Sequence, residues 1–406
     1  MHHFIVSGAS IAVCALLASP VLAADLSLRL LPSLYQANAA SPFANGDQAV
    51  LRAETLLNWQ QAGWSFAGAL SAERDNWDNE TVDAHLNELF YDTSLGDWEL
   101  SIGKKRLGWG LGFGFRPLDT IQNEPRRPVQ PVLLDGVPAL ILEKFTPSNS
   151  LSLIYAAKNE WHDWRIEDTQ HSATLRLYQF TGDWEFMGLS AWEQDSGLTV
   201  GGGLSLSQGD NWKFHGELAW KQQYPQWRSH LLDSGELFYP GNPLYQVQQD
   251  GAWQGVLGAQ WTHSNGIGVL LEYWYDGTAW NDSDWYDLLT FTQQQQAALS
   301  WPQSPIDLLQ ANIAAAEQAY LHPNLLRHNL LLRLSHDSGE RTFALEYLLA
   351  PENGSGALTL LLEDSSLDQQ KLRFGVRLYS GVNHSAYGAL ADAWIIFATW
   401  EMGWKL

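Results

Sequence analysis

From residue 24 onward the chain is a succession of stretches of about ten residues in which apolar and polar positions alternate with a period of two. In Lys371-Leu-Arg-Phe-Gly-Val-Arg-Leu-Tyr379, Leu372, Phe374, Val376 and Leu378 face one way. Lys371, Arg373, Gly375 and Arg377 face the other. Trp212, Phe214, Gly216, Leu218 and Trp220 alternate in the same way with Lys213, His215, Glu217, Ala219 and Lys221. The pattern predicts eighteen strands, near 25–36, 48–60, 64–74, 82–92, 98–108, 137–146, 151–158, 171–181 and 184–193 in the first half. In the second half they lie near 198–208, 212–221, 252–263, 267–276, 325–336, 341–350, 357–364, 370–380 and 393–404. Sixteen is the alternative count.

A soluble sandwich gives the same alternation in any one strand, so the connections carry more of the decision. Turn-forming clusters such as Gly182-Asp183, Gly209-Asp-Asn211, Ser264-Asn-Gly266 and Asp337-Ser-Gly339 recur at every second break. The breaks between them are read as longer, above all 109–136, 222–251 and 277–324. Short turns at one end and long loops at the other, with both termini on the short-turn side, predict an all-β fold. The expected form is a transmembrane antiparallel β-barrel with long extracellular loops in a Gram-negative outer membrane. Within 277–324, Ser304-Pro305 followed by Ile306, Leu309, Ile313, Glu317 and Tyr320 predicts one short loop helix.

Composition fits this reading once the alternation is known. The chain has 406 residues, 23 Lys+Arg against 45 Asp+Glu and a formal charge of -22, which excludes a nucleic-acid partner that needs a basic face. A mean hydropathy of -0.22 looks soluble, but it is also what lipid-facing and lumen-facing positions average to. The 21 Trp become positional: Trp64, Trp98, Trp184 and Trp212 each open a strand just after a short turn, where a membrane interface favours an amphipathic ring. Residues 1–23 read as a signal peptide, with an apolar segment at 11–18 and Val21-Leu-Ala23 before the cleavage point, although Lys and Arg are missing from its start. The only cysteine, Cys14, lies in that segment, so the mature chain 24–406, a single barrel domain, carries no disulfide and no Cys-based metal site. No later apolar run is long enough for a transmembrane helix.

The segment Gly103-Lys-Lys-Arg-Leu-Gly-Trp-Gly-Leu-Gly-Phe-Gly-Phe-Arg-Pro-Leu-Asp119 is the most distinctive in the chain. It resembles porin-like outer-membrane families that carry a Gly-Lys-Lys strand, a Trp-Gly-x-Gly turn and an Arg-Pro-Leu-Asp step. The closing strand, with Trp400, Met402 and Trp404 on one face, is similar to the carboxy-terminal recognition strand of outer-membrane proteins, although Leu406 stands where Phe or Trp is usual. The resemblance implies a passive channel for small hydrophilic solutes in which this third long loop, 109–136, folds inward and narrows the lumen. It also implies contacts with outer-membrane lipid and lipopolysaccharide, and with the barrel-assembly machinery through strand 393–406. Alternate glycines at 108, 110, 112 and 114 let the loop lie close to a wall. Its candidate pore residues are Arg116, Asp119, Arg126 and Arg127.

Alternation places Arg176, Arg327, Arg333, Lys371, Arg373 and Arg377 on the lumen side, a basic lean that favours anions. Glu54, Glu73, Glu217, Glu346 and Glu401 are their acidic counterparts, and pairing across strands is the plainer role for any one of them. Asp276, Asp282, Asp284 and Asp287 form an oxygen-rich cluster that could hold Ca²⁺ but lacks EF-hand spacing, so a solvated loop is the simpler reading and no cofactor is expected. A structural or export barrel without free diffusion is the second reading of the whole chain. A phospholipase is the third, on Thr262-His-Ser-Asn-Gly266, where the histidine is one residue out of register and Asn-Gly makes a hairpin turn. N-terminal sequencing of the protein recovered from bacterial envelopes is expected to begin at Ala24-Asp-Leu-Ser-Leu28; a start at Met1 would remove the export reading.

Overall fold

The computed structural model describes residues 24–76, 79–122, 128–162 and 165–405, with the side chains of 159–169 left aside. These residues form eighteen strands. The first nine are β1 (Ala24–Ala37), β2 (Gln48–Gln61), β3 (Trp64–Asp75), β4 (Asn79–Leu95), β5 (Trp98–Lys105), β6 (Val137–Phe145), β7 (Asn149–His162), β8 (Arg165–Thr181) and β9 (Trp184–Glu193). The second nine are β10 (Gly197–Gln208), β11 (Trp212–Ser229), β12 (Leu244–Thr262), β13 (Ile267–Asp276), β14 (His328–Asp337), β15 (Arg341–Ala350), β16 (Ser355–Asp364), β17 (Gln370–Ser380) and β18 (Asp392–Lys405). Each strand pairs antiparallel with the next, and β18 returns to β1 in register from Asp25↔Lys405 to Ala37↔Asp392. The sheet is therefore closed, with no unpaired edge, and the count of eighteen stands over sixteen. No helix among the described residues is long and apolar enough to cross a membrane.

Register assigns the two faces. Across β10 to β13, Leu204, Gly216, Leu257 and Tyr273 form one outward row, and Gly203, Glu217, Val256 and Trp274 form the neighbouring inward row. Leu257 is 69 % exposed and Leu204 46 %, whereas Glu217 is 4 % and Val256 1 %. Large apolar side chains outside and carboxylates inside invert the soluble arrangement, and that inversion is what hydrocarbon outside and protein or water inside require. Trp184 and Trp192, Trp212 and Trp220, and Trp253 and Trp261 repeat at a spacing of eight along β9, β11 and β12. Eight residues span roughly 26 Å of strand, or about 20 Å once tilted by ~40°, near the height of an outer-membrane apolar band. The two rows of indoles on these three strands thus mark its two interfaces.

Three expectations change at the loop end. The connection placed at 222–251 is mostly strand, since β11 continues to Ser229 and β12 starts at Leu244, leaving a short helix α1 (His230–Ser234) between them. Four of the nine connections expected to be long are two to four residues, joining β3–β4, β7–β8, β9–β10 and β15–β16. The single loop helix becomes a small helical cap of α2 (Asp282–Ala298), α3 (Ile306–Ala316) and a 3₁₀ turn Glu317–Leu321. Helix α3 matches the expectation. Helix α2 starts at a capping box in which Asn281 and Asp284 exchange side-chain and backbone hydrogen bonds. It buries Thr292 and Gln295 beside Trp285, Leu288 and Leu289, so its inner face shows no clean apolar stripe.

The cap has a hydrophobic core of its own. Phe43 from the β1–β2 loop, Leu244, Trp285, Leu289, Ile313 and Tyr320 pack with Ala386 and Tyr387 from the β17–β18 loop. Trp285 donates its indole N–H to the Leu325 carbonyl at 2.5 Å, and Ser41 donates to the Ala389 carbonyl at 2.7 Å. Leu257 lies midway between Trp253 and Trp261 on the outer face. Leu257→Arg is expected to destabilise the barrel in lipid vesicles by about 2–4 kcal/mol in a denaturant titration, as for a cation at the bilayer midplane. A loss under ~0.5 kcal/mol would mean that this face meets water.

Candidate channel interior

The described parts of the connection from β5 to β6, residues 106–122 and 128–136, lie inside the barrel as two limbs. The first limb buries Leu107, Trp109, Leu118 and Ile121 against Ile141 and Ile154 of β6 and β7, Met187 and Leu189 of β9, and Ala219 of β11. The wall is cleared for it. A Cβ at Gly201 would lie 2.5 Å from Leu118 Cδ2, and one at Gly203 would lie 3.2 Å from Leu111 Cδ1, both on the inward face of β10. The loop's own glycines allow the same approach from the other side. A Cβ at Gly114 would meet the Trp274 ring at 2.9 Å, and Gly112 folds against the Phe115 carbonyl.

Main-chain N–H groups of this limb have no strand partner, and two buried carboxylates accept them. Glu217 of β11 accepts from Leu111, from Gly112 at 3.1 Å and from Leu118 at 3.2 Å. Glu272 of β13, fully buried, accepts from Phe113 and Gly114 at 2.6 Å each. The ring of His215 lies 2.7 Å from the same carboxylate, across Gly258 of the intervening strand. A side chain at Gly258 would collide with both. Low polarity around these groups makes each accepted N–H necessary to the ion.

The second limb runs along the opposite wall. Val129 packs with Ala344, Leu361, Ile395 and Phe397. Arg52 of β2 donates to the Pro131 carbonyl at 2.9 Å, Gln130 to the Ala398 carbonyl at 3.1 Å, and Asn87 of β4 to the Leu134 carbonyl at 3.2 Å. Between the limbs and strands β14–β18 lies a cavity of about 460 Å³, lined by Phe113, Pro128, Val129, Arg333, Glu346, Glu363, Arg373 and Arg377 among others.

The charges of that wall form a ladder across successive strands. Arg333 pairs with Glu346 on β15, Arg377 donates to Thr359 Oγ1 at 2.7 Å, and Glu363 receives Arg373 at 3.4 Å and Lys371 at 3.3 Å. Across the β18–β1 seam the ladder continues through Glu401–Arg29 at 2.9 Å, Arg29–Glu54 at 3.7 Å and Glu54–Arg52 at 3.0 Å. Opposite charges on neighbouring strands let the interior carry ions at modest cost.

The sequence candidates separate into groups. Arg333, Arg373 and Arg377 come together on the cavity, with Lys371 further along the same face of β17. Arg176 sits behind the loop, 3.3 Å from Glu143 with its guanidinium 5.2 Å from the Trp109 ring centre. Arg116 turns back on its own loop and donates to the Gly112 carbonyl at 2.8 Å, and Asp119 is buried at the following turn. Arg327 is corrected: it precedes β14, so alternation does not govern it, and it donates to the Ala279 carbonyl at 3.0 Å in the cap. Arg126 and Arg127 lie outside the described residues.

Sequence reasoning passed over Glu272, His215, Glu363 and Arg29. The signal for Glu272 was a mid-strand carboxylate on the inward face of β13, set between Leu270 and Trp274. The acidic cluster is also taken apart. Asp276 is occupied by Gln254, Thr278 and Asn324, Asp282 receives Asn353 at 2.6 Å and Asp284 caps α2. No group of three potential metal ligands occurs among the described residues. His263 is directed to Asn265 at 2.8 Å within a short turn at the terminus end, away from the loops.

Solved structures carry the same architecture. Acinetobacter baumannii OccAB1 aligns at a TM-score of 0.54 with 8% identity, covering 95% of this chain and 97% of that one. The chain has the fold of an outer-membrane porin. Acinetobacter baumannii OccAB2 aligns at 0.53 with 10% identity over 95% and 98%, and Pseudomonas aeruginosa OccK5 (OpdH) at 0.52 with 12% identity over 95% and 98%. No protein-family profile matches the chain, and no curated protein matches it by sequence. Gly201 and Gly202 make a direct test of the interior packing. Gly201→Val, whose Cβ would meet both Leu118 Cδ2 and the Leu218 carbonyl at 2.5 Å, is expected to cost about 1–3 kcal/mol in a denaturant titration. Gly202→Val, on the lipid face where the nearest neighbour is the Met187 carbonyl at 3.2 Å, should cost less.

Proposed function

We propose that this protein is a passive channel of a Gram-negative outer membrane for small hydrophilic solutes, narrowed by its 106–136 loop and leaning towards anions. The observation that carries this reading is the loop's course: it is bonded to the wall inside the barrel and leaves a charged cavity beside it. Three guanidinium groups, of Arg333, Arg373 and Arg377, face that cavity with two carboxylates, of Glu346 and Glu363. That leaves one net positive charge in a confined, low-dielectric passage, which raises the local concentration of anions. A channel needs no cofactor and performs no chemistry, and no catalytic role is assigned to any residue.

The apolar outer face with its two indole rows suits outer-membrane lipid, with lipopolysaccharide at the loop end. The closing strand, 393–406, is assigned to recognition by the barrel-assembly machinery after cleavage of the signal peptide behind Ala23.

Reconstituted in planar bilayers, the protein is expected to conduct, and the reversal potential in a salt gradient should show anion preference. Arg373→Ala/Arg377→Ala should roughly halve the anion-to-cation permeability ratio. A cation preference in the unaltered protein would overturn the selectivity. Absence of conductance in correctly folded protein would replace the channel with an envelope-pathway barrel without free diffusion.

A further inference from the structure

We propose that Glu217 and Glu272 are positioning residues that latch the 106–136 loop at one depth in the barrel, with His215 holding Glu272 in place. The proposal rests on the reading of the barrel as a channel narrowed by that loop. It separates two properties: the width of the passage is set by main-chain contacts, and its chemical character by the side chains the loop displays.

Five consecutive or near-consecutive donors, the N–H groups of Leu111, Gly112, Phe113, Gly114 and Leu118, converge on two carboxylates. All five are main-chain groups, so substitution of Phe113 changes what the cavity meets and leaves the anchor intact. The two acids sit on strands β11 and β13 and are 4 % and 0 % exposed, which leaves the loop as a principal source of donors for them. A buried carboxylate held by amide dipoles cannot release them without taking up a proton or standing unpaired. The attachment is therefore cooperative: loosening one amide weakens the case for the next. Clearance on both sides completes the fit, through Gly201 and Gly203 on the wall, Gly112 and Gly114 on the loop, and Gly258 under the His215–Glu272 contact. A merely space-filling loop would need none of these pairings.

The test uses the mature chain, which has no native cysteine, so that a reporter pair can be placed in it. Gly201 Cβ would lie 2.5 Å from Leu118 Cδ2, which puts the two Cβ positions within about 5 Å, near disulfide range. Leu118→Cys/Gly201→Cys is expected to cross-link in the otherwise unaltered protein once the strand yields at the Leu218 carbonyl, which would lie 2.5 Å from the added Cβ. In Glu217→Ala/Glu272→Ala the cross-linking rate should fall roughly fivefold. Single-channel conductance should rise about twofold with added noise, and heat-modifiable electrophoretic mobility should show that the barrel still folds. Glu217→Gln/Glu272→Gln, which keeps the shape but turns one acceptor at each site into a donor, serves if the alanine variant does not fold. Oxidising the cysteine pair in the variant background should restore the original conductance, and reduction should release it.

Unchanged cross-linking in folded variants would overturn the latch. So would a conductance change that the tether does not reverse, because it would be an effect of charge alone. If the unaltered protein conducts nothing while cross-linking still depends on the two acids, the latch stands and the channel reading falls.

Discussion

A peptide group in hydrocarbon has no water to bond to, and this requirement organises the whole molecule. It closes eighteen strands into a ring through β1 and β18 and leaves no edge. It reappears inside the ring, where N–H groups between Leu111 and Leu118 have no strand partner and find Glu217 and Glu272 instead. The apolar outer face, the buried acids and the glycine-lined wall are consequences of satisfying main-chain polarity in a place where water does not do it.

The barrel was legible in the sequence because a membrane-spanning strand meets two different solvents and must alternate. Lys371, Arg373 and Arg377 opposite Leu372, Phe374 and Leu378 show this without any structure; in the folded sheet Phe374 and Leu378 are exposed, while Arg373 and Arg377 border the cavity. Indoles just after short turns were legible for the same reason, since the position of the water–lipid boundary is fixed along every strand. Where the chain leaves the bilayer, that constraint lapses. Residues 222–229 continue β11 with Gln, Tyr, Pro and Trp in no alternating order, and they read as loop although they remain paired. Helix α2 was hidden because Thr292 and Gln295 occupy its buried face, Thr292 satisfied by the Leu288 carbonyl one turn back and Gln295 by the Leu237 carbonyl of the β11–β12 loop, which only the folded cap supplies.

The candidate interior was half visible. Glycine spacing in 108–114 pointed to close packing, and alternation brought Arg333, Arg373 and Arg377 to one face. What alternation cannot give is the partner across strands, because register depends on where each hairpin turns. Glu363 and Arg29, the members that join the ladder across β16–β17 and across the seam, therefore emerge only from the pairing. Arg327 was misplaced by the converse error: a parity rule was applied one residue before β14, where strand geometry has not begun.

The cap over the loop end is made from parts that the chain keeps far apart. Phe43 and Ser41 belong to the first loop, Ala386, Tyr387 and Ala389 to the last, and the helices between them to a loop after β13. The first and last loops are neighbours only because β1 lies beside β18. The lid therefore cannot mature on a chain whose cylinder is still open, however completely its hairpins have formed. Its order of assembly is imposed by geometry: seam first, roof second. An incompletely joined barrel would expose unroofed helices at the rim, visible to any factor that surveys the envelope for unfinished proteins.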